Sequence, residues 1–238
     1  MPMSESHIAI IPARIGSKRI PRKNIIDFLG RPIIGWVIEA AISSGCFSEV
    51  VVSSDDDEVL DIGSSFGAVA SKRQDDLSDD ATPIGSVATA FLEGLCYTPD
   101  SACVLYATAA LLCPQHLVEA RKLLEGESVE KVLSIAAMDG PQERSYRLDA
   151  SNTISMVSPE NFKTRSQDLP MAYRDAGAFS WWKRTQYPDQ VHGFVLPRYF
   201  AVDIDTYEDI KIAECFFKSF AEPLREAHGG SSDSMRPD

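Results

Sequence analysis

Short apolar runs alternate with amphipathic stretches from His7 to Ala136, and this alternation leaves few folds open. His7 to Ala13 is short, β-branched and bounded by Pro12, so it reads as a buried strand. Val50 to Val52, Ala102 to Tyr106 and Lys131 to Ala136 read the same way. Helical stretches fall between them: from Pro32 to about Ser44, closed by Gly45; from about Asp56 to Phe66; from Pro83 to about Cys96; and from Pro114 to Leu124. A long polar segment, Ser71 to Thr82, precedes the third helix. The pattern predicts an α/β fold: a Rossmann-like, mostly parallel sheet with helices on both faces, and ligands beyond the carboxyl ends of its strands. The alternation breaks near Asp139. Residues 139–174 carry turn signals and short apolar pieces, which predict a small β-rich, hairpin-like insertion that serves as an interaction arm. Strands return at about Gly177 to Trp182 and Val195 to Val202, and a last helix is expected from Tyr207 to Phe220. One domain over residues 1–225 is expected, with a polar, disordered tail over 226–238.

Composition narrows the partners. The chain has 238 residues and a net charge of -12, the wrong sign for a protein that binds nucleic acid over its whole surface. No apolar run approaches membrane-spanning length, and MPMSESHIAIIPAR lacks the layout of a signal peptide. Cys46, Cys96, Cys103, Cys113 and Cys215 form no CxxC pair, which predicts a reducing cytoplasm and no structural zinc.

Against this acidic background, IPARIGSKRIPRKN packs Arg14, Lys18, Arg19, Arg22 and Lys23 into ten positions after the first strand. Cations this close repel unless an anion joins them. Gly16 and Ser17 can offer backbone N–H groups to phosphate oxygens, so a polyphosphate suits the loop. A solvated face or a nuclear import patch, KRIPRK, would also account for the charge, although Pro12 and Pro21 stiffen the loop as a ligand site requires. The run matches neither GxxxxGK[ST] nor GxGxxG.

Near the C-terminus, VDID places Asp203 and Asp205 two apart at the end of an expected strand, where both carboxylates face one side. Such a pair can bind Mg²⁺. Alternatively Asp205 or Thr206 caps the last helix, with Glu208 or Asp209 completing the box, which leaves Asp203 unexplained. Asp55, Asp56 and Asp57 are accounted for by a helix start capped by Ser54 or Asp55. YATAALL, with Tyr106 and Thr108, should line the crevice after the third strand. Arg165, Gln167, Tyr173 and Asp175 stand together in TRSQDLPMAYRDAG; an Arg–Asp surface pair and core aromatics account for them without a ligand. His7, His116, His192 and His228 form no spacing pattern and Ser17 has no nearby base, so no protein nucleophile is expected.

IPARIGSKRIPRKN resembles the signature of the CMP-sialic acid synthetase family, the cytidylyltransferases that activate nine-carbon acidic sugars. SKRIPRKN and TRSQDLPMAYRDAG are most similar to its pseudaminic acid branch. SSDD at 53–56, FGA at 66–68, LSDDAT at 77–82, TRSQDL at 164–169 and DIDTYED at 203–209 follow in the family's order, over about Ile8 to Phe217. The resemblance implies a nucleotide-diphospho-sugar transferase-like fold and transfer of CMP from CTP to a nonulosonic acid, with pyrophosphate released. It implies roles for Lys23 and a Mg²⁺ on Asp203 and Asp205 at the α-phosphate, and for Lys18 and Arg19 at the leaving pyrophosphate. Arg14 and Ser17 would shape the loop and, with Gly16 and Asn24, contact phosphate; Arg73 would recognise cytosine, Thr82 would close over the base and Asp80 would organise that stretch; Arg165 and Gln167, with Tyr173 and Asp175 near them, would hold the acidic sugar. The insertion would form a homodimer contact, with neither nucleic acid nor membrane as partner. Sialic, legionaminic and 3-deoxy-octulosonic acids are alternative acceptors, and a catalytically weak CTP-binding homologue is a further alternative. The chain departs from the family at Ala107 and Ala110, where prolines are usual, and at Ile15, often Gly. Alanine relaxes the loop, and Ile15 would be strained if its φ were positive.

Overall fold

β1 (His7–Pro12) is buried at every position because both sheet faces are covered there. Ile8 and Ile10 pack on one side with Val51, Val104 and Ala88, while Ala9 and Ile11 point into the larger cluster on the other. The computed structural model describes residues 6–73, 83–183 and 190–228. After β1 come β2 (Asp27–Phe28), β3 (Arg31–Pro32), α1 (Ile33–Ser43), β4 (Glu49–Ser54), α2 (Asp57–Ser65) and β5 (Val69–Lys72). Then follow α3 (Ile84–Glu93), β6 (Ser101–Leu105), α4 (Pro114–Leu124), β7 (Lys131–Ala137), β8 (Tyr146–Leu148) and β9 (Ile154–Met156). β10 (Tyr173–Lys183), β11 (Val191–Val195), α5 (Tyr207–Phe216) and α6 (Glu222–His228) complete the order.

Among the described residues the main sheet has seven strands in the order β11-β7-β10-β6-β1-β4-β5. All neighbours are parallel except β10, which runs antiparallel to β6 and β7. The mostly parallel α/β sheet expected from the alternation is therefore present, with the reversed strand entering from the insertion. In that insertion β8 and β9 pair as an antiparallel hairpin. Asp149 Oδ1 closes its turn by accepting from the amides of Ser151 (2.8 Å) and Thr153 (2.9 Å).

Four local expectations are corrected. The strand expected at Val195 to Val202 lies earlier, at Val191–Val195; Pro197 lacks an N–H for the ladder, and a 3₁₀ turn at Arg198–Phe200 follows. The cap of α2 is Asp56 rather than Ser54 or Asp55: its Oδ1 accepts from the amides of Glu58 (3.0 Å) and Val59 (3.2 Å). β5 pairs in parallel with β4 where the polarity of the segment from Ser71 predicts a loop. The last helix does not stop near Phe220. A π turn at Phe217–Ala221 leads into α6, so residues 226–228, expected in the tail, are helical, and 229–238 lie outside the described residues. No helix among the described residues is long and apolar enough to cross a membrane.

α4 carries a titratable cap in a buried position. The Cys113 amide donates to His116 Nδ1 (3.2 Å), so the imidazole must be neutral. Burial, helped by the charge of Arg225, pushes its pKa down from 6.5 to about 4. The unfolded chain thus binds a proton below pH 6.5 that the native state refuses, and stability falls as pH drops from 6.5 toward 4. Between pH 7 and pH 5, urea unfolding of the native protein should lose about 2 kcal/mol more than unfolding of His116→Gln.

Candidate active site

The basic loop leaves β1 at the carboxyl end of the sheet and is tied down by backbone acceptors and one acid. Ala13 N donates to Ser53 O (2.9 Å), Ile15 N to Asp55 Oδ1 (3.2 Å), and Asn24 Nδ2 to Arg14 O (2.8 Å). Asp55, whose sequence position suggests helix-start chemistry, instead holds this loop. Ile15 is not among the residues with positive φ, so the strain considered for it is absent. The left-handed residue is Arg22, at φ 57 and ψ 33, and its guanidinium pairs with Glu58. It turns the chain into the short 3₁₀ helix Lys23–Ile25 and sends Lys23 toward the far end of the sequence.

There Lys23 Nζ donates to Ile204 O (2.7 Å) and to Asp205 Oδ1 (3.1 Å), while Arg19 Nη1 lies 2.7 Å from Asp205 Oδ2. Asp203 and Asp205 do not end a strand, as VDID suggested; they lie in the irregular segment between the Arg198–Phe200 turn and α5. The cap of α5 is complete without their side chains. Thr206 Oγ1 accepts from Asp209 N (3.3 Å), and Asp209 Oδ2 accepts from Thr206 N (2.7 Å). The Asp205 amide also donates to Asp209 (3.0 Å), which leaves both the Asp203 and Asp205 carboxylates outside the cap.

Asp203 faces the cavity. Partial loss of water and the charge of Asp205 push its carboxyl above the usual range, opposed by Lys23, Arg174 and Arg19. Arg174 escapes sequence reasoning; its one signal is its place beside Asp175 in YRDAG. Its Nη2 donates to Ala201 O (2.6 Å), fastening the acidic segment to β10. The register of β10 against β7 shifts between Asp175 and Ser180. Within that irregularity Gly177 has φ 62, its amide donates to Asp175 Oδ1 (2.8 Å), and a Cβ there would sit 3.7 Å from Asp203. Tyr106 N donates to Ala178 O (3.0 Å), which seats Tyr106 beside the irregularity. Burial, with Asp175 and Asp203 close by, raises the pKa of its phenol.

These groups enclose a cavity of about 600 Å³, within the range for a small-molecule site. Arg14, Gly16, Ser17, Lys18, Arg19, Lys23 and Asn24 line it. So do Arg73, Tyr106, Ala107 and Asp203, together with Pro12, Ile84 and Val87, three apolar residues that sequence reasoning misses as site residues because nothing separates them from core. Arg73 is buried; its amide donates to Ser54 O (2.8 Å) and its Nη2 to Ser53 O (2.7 Å), and burial lowers its pKa. Thr108 is buried, Asp175 lies close to Tyr106, and Asp205 meets Lys23 and Arg19, but none of the three is on the lining. Arg165, Gln167 and Tyr173 do not line the cavity either. Arg165 Nε pairs with Asp168 Oδ2 (2.8 Å) in an exposed ion pair, Gln167 lies in the exposed 3₁₀ turn Ser166–Asp168, and Tyr173 is exposed at the start of β10. Asp80 and Thr82 lie outside the described residues.

The donor set suits a hard divalent cation that brings other ligands with it. Asp203 and Asp205 would supply carboxylate oxygens, those of Asp205 being shared here with Lys23 and Arg19, and no cluster of three acidic, His or Cys side chains suited to a metal occurs among the described residues. Two protein carboxylates plus water and phosphate oxygens is a usual arrangement for Mg²⁺.

The chain has relatives among known proteins. The family model described as cytidylyltransferase matches residues 8–228. The chain is 41% identical over 224 residues to the pseudaminic acid cytidylyltransferase of Campylobacter jejuni, covering 89% of this chain and 96% of that one. It is 30% identical to N-acylneuraminate cytidylyltransferase B of Danio rerio, covering 87% of this chain and half of that one. Among solved structures, a CMP:2-keto-3-deoxy-manno-octonic acid synthetase complexed with CTP superposes with a TM-score of 0.68 at 16% identity, over 90% of this chain and 99% of that one. The 4-diphosphocytidyl-2C-methyl-D-erythritol synthase of Anaerococcus prevotii follows with a TM-score of 0.59 at 13% identity, again over 90% and 99%. At such identities the two structures speak for the fold alone.

The left-handed glycine beside Asp203 yields a direct check. Gly177→Ala should cost about 1–2 kcal/mol in urea unfolding, because an L side chain resists this φ, and Gly177→Asn should cost less.

Proposed function

The chain belongs to the cytidylyltransferase family, and from that membership we propose that it transfers CMP from CTP to the anomeric oxygen of a nonulosonic acid, pseudaminic acid before sialic, legionaminic or 3-deoxy-octulosonic acid. The observation that carries the reading is the meeting of Lys23 and Arg19 with Asp205 at a cavity also lined by Arg14, Lys18, Arg73 and Asp203. Cations gathered beside carboxylates at one cavity are what a metal-bound triphosphate requires.

In the proposed reaction the sugar oxygen forms a bond to the α-phosphorus while the α–β bridging P–O bond breaks. The electron pair leaves with pyrophosphate, and the proton of the sugar hydroxyl passes to solvent. Negative charge grows on the bridging oxygen, so cations fixed beside it stabilise the transition state more than the ground state. Lys23 is assigned to the α-phosphate because its ammonium is already oriented by Ile204 O. Lys18 and Arg19 are assigned to the departing phosphates, and Arg14, Gly16, Ser17 and Asn24 to the shape of the loop. Arg73 is assigned to the cytosine, with Asp80 and Thr82 in the stretch over it. Tyr106, Thr108 and Asp175 are assigned to the sugar side, and Arg165, Gln167 and Tyr173 to the same acidic substrate. Mg²⁺ bound by Asp203 and Asp205 would supply a Lewis acid to the phosphate oxygens. No protein nucleophile is needed, since the acceptor itself attacks.

The proposal includes a cytoplasmic homodimer built on the insertion. An isolated two-stranded hairpin is marginal by itself, and this one exposes Tyr146, Leu148 and Ile154 with Phe162 nearby. A second copy of the chain would cover them.

Purified protein with CTP, Mg²⁺ and a panel of nonulosonic acids should release pyrophosphate, fastest with pseudaminic acid. Lys23→Ala and Asp203→Ala should each lower the rate about 100-fold or more; unchanged rates in both would refute the assigned roles. In light scattering, Leu148→Glu combined with Ile154→Glu should halve the mass of the native particle while leaving the helical circular dichroism intact.

A further inference from the structure

The segment that follows β6, residues 106–113, is a buried loop with non-helical backbone, and each of its carbonyls requires a partner. It satisfies part of that need itself. Ala109 N donates to Tyr106 O (3.0 Å), Ala110 N to Thr108 O (2.9 Å) and Leu112 N to Ala109 O (3.0 Å). The carbonyls of Ala110 and Leu112 are instead taken by a residue more than a hundred positions away. Arg225 Nη2 donates to Ala110 O (2.9 Å) and Leu112 O (2.5 Å). The loop is rich in alanine, which neither fixes φ nor carries a side-chain donor, so its shape is imposed from outside.

Arg225 is itself firmly held. Its side chain is 12% exposed, it also donates to Trp36 O (3.2 Å), and Glu39 Oε2 lies 3.5 Å from its Nη1. The guanidinium lies 5.4 Å from the centre of the Trp36 ring and 5.3 Å from that of Phe217. Phe217 opens the π turn and wedges against Trp36, with 4.4 Å between ring centres. The Cys113 thiol adds a link to Ala221 O (3.7 Å). The C-terminal helix thus clamps α1 and the loop together, yet Arg225 does not line the cavity.

We propose that Arg225 is a positioning residue for the acceptor side of the crevice, acting by holding the carbonyls of Ala110 and Leu112 so that Tyr106, Ala107 and Thr108 present one shape to the acidic sugar. The inference rests on the reading of these residues as the sugar side. The phosphate side has separate ties, through Asp55 to Ile15, Asn24 to Arg14 and Lys23 to Ile204, none of which involves residues 106–113. Loosening the clamp therefore weakens acceptor binding selectively.

The test is steady-state kinetics of full-length Arg225→Met, Arg225→Lys and Arg225→Ala with CTP and the best acceptor of the native protein. Arg225→Met should raise KM for the acceptor roughly tenfold, as expected for lost charge-assisted hydrogen bonds, while KM for CTP stays within about twofold. Arg225→Lys, which keeps the charge but loses the planar fork, should show the same split at smaller size. Methylguanidinium added to Arg225→Ala should bring the acceptor KM back toward native. A lowered melting temperature with both KM values unchanged, or both raised equally, would overturn the inference and leave a purely structural Arg225. Should Arg225→Met not fold, Arg225→Lys decides: a split supports the inference and its absence overturns it. Failure of the native protein to turn over any nonulosonic acid would instead refute the proposed function.

Discussion

Lys23 joins the two ends of the functional chain. Its ammonium reaches the carbonyl of Ile204 and the carboxylate of Asp205 across 181 and 182 positions of sequence. Without that contact and the ion pair of Arg19 with the same carboxylate, a loop crowded with cations would have no reason to stay near the carboxylates, and each group would repel its own kind. With it, opposite charges meet at one rim of the sheet. The left-handed turn at Arg22 and the Asn24 bond to Arg14 serve this meeting, because they decide which way Lys23 points. On the other side Arg174 holds Ala201, and the irregularity around Gly177 lets Asp203 approach β10.

The parallel core is legible in the sequence because burial on both faces leaves an unmistakable trace. β1 is apolar from Ile8 onward, β4 carries the run Val50 to Val52, and Gly45, with φ 63, ends α1 as expected of a glycine there. Legibility fails where several residues could do the same local job. Ser54, Asp55 and Asp56 are all competent caps, and only the three-dimensional placement of Ile15 assigns Asp55 to the loop and Asp56 to the helix. β11 sits earlier than its apolar pattern suggests because Val195-Leu196 continues the run, while the missing N–H of Pro197 forbids the ladder beyond it. The basic loop, Arg73, Tyr106 and Asp203 are assigned to the crevice by sequence, and they share one cavity. Arg165 and Gln167 are not separable by sequence from an exposed turn, and in this chain an ion pair with Asp168 occupies Arg165.

Arg225 shows a different kind of illegibility. Read in sequence, PLREAH is a polar helix end with nothing to distinguish it. Its meaning comes from the π turn before it and from carbonyls contributed by a distant loop. A buried guanidinium needs several acceptors at once, and a buried alanine-rich loop has several to offer. Each solves the other's solvation problem.

The reversed direction of β10 has an evolutionary consequence. β7 finishes, and β10 starts, at the same edge, since Ala137 is opposite Tyr173. The intervening excursion therefore departs from and returns to a single doorway at one end of the sheet. Doubling the length of such a detour costs only about 0.6 kcal/mol of closure entropy. The excursion can thus lengthen or shorten at little cost while the strands that carry the basic loop keep their places in the sheet.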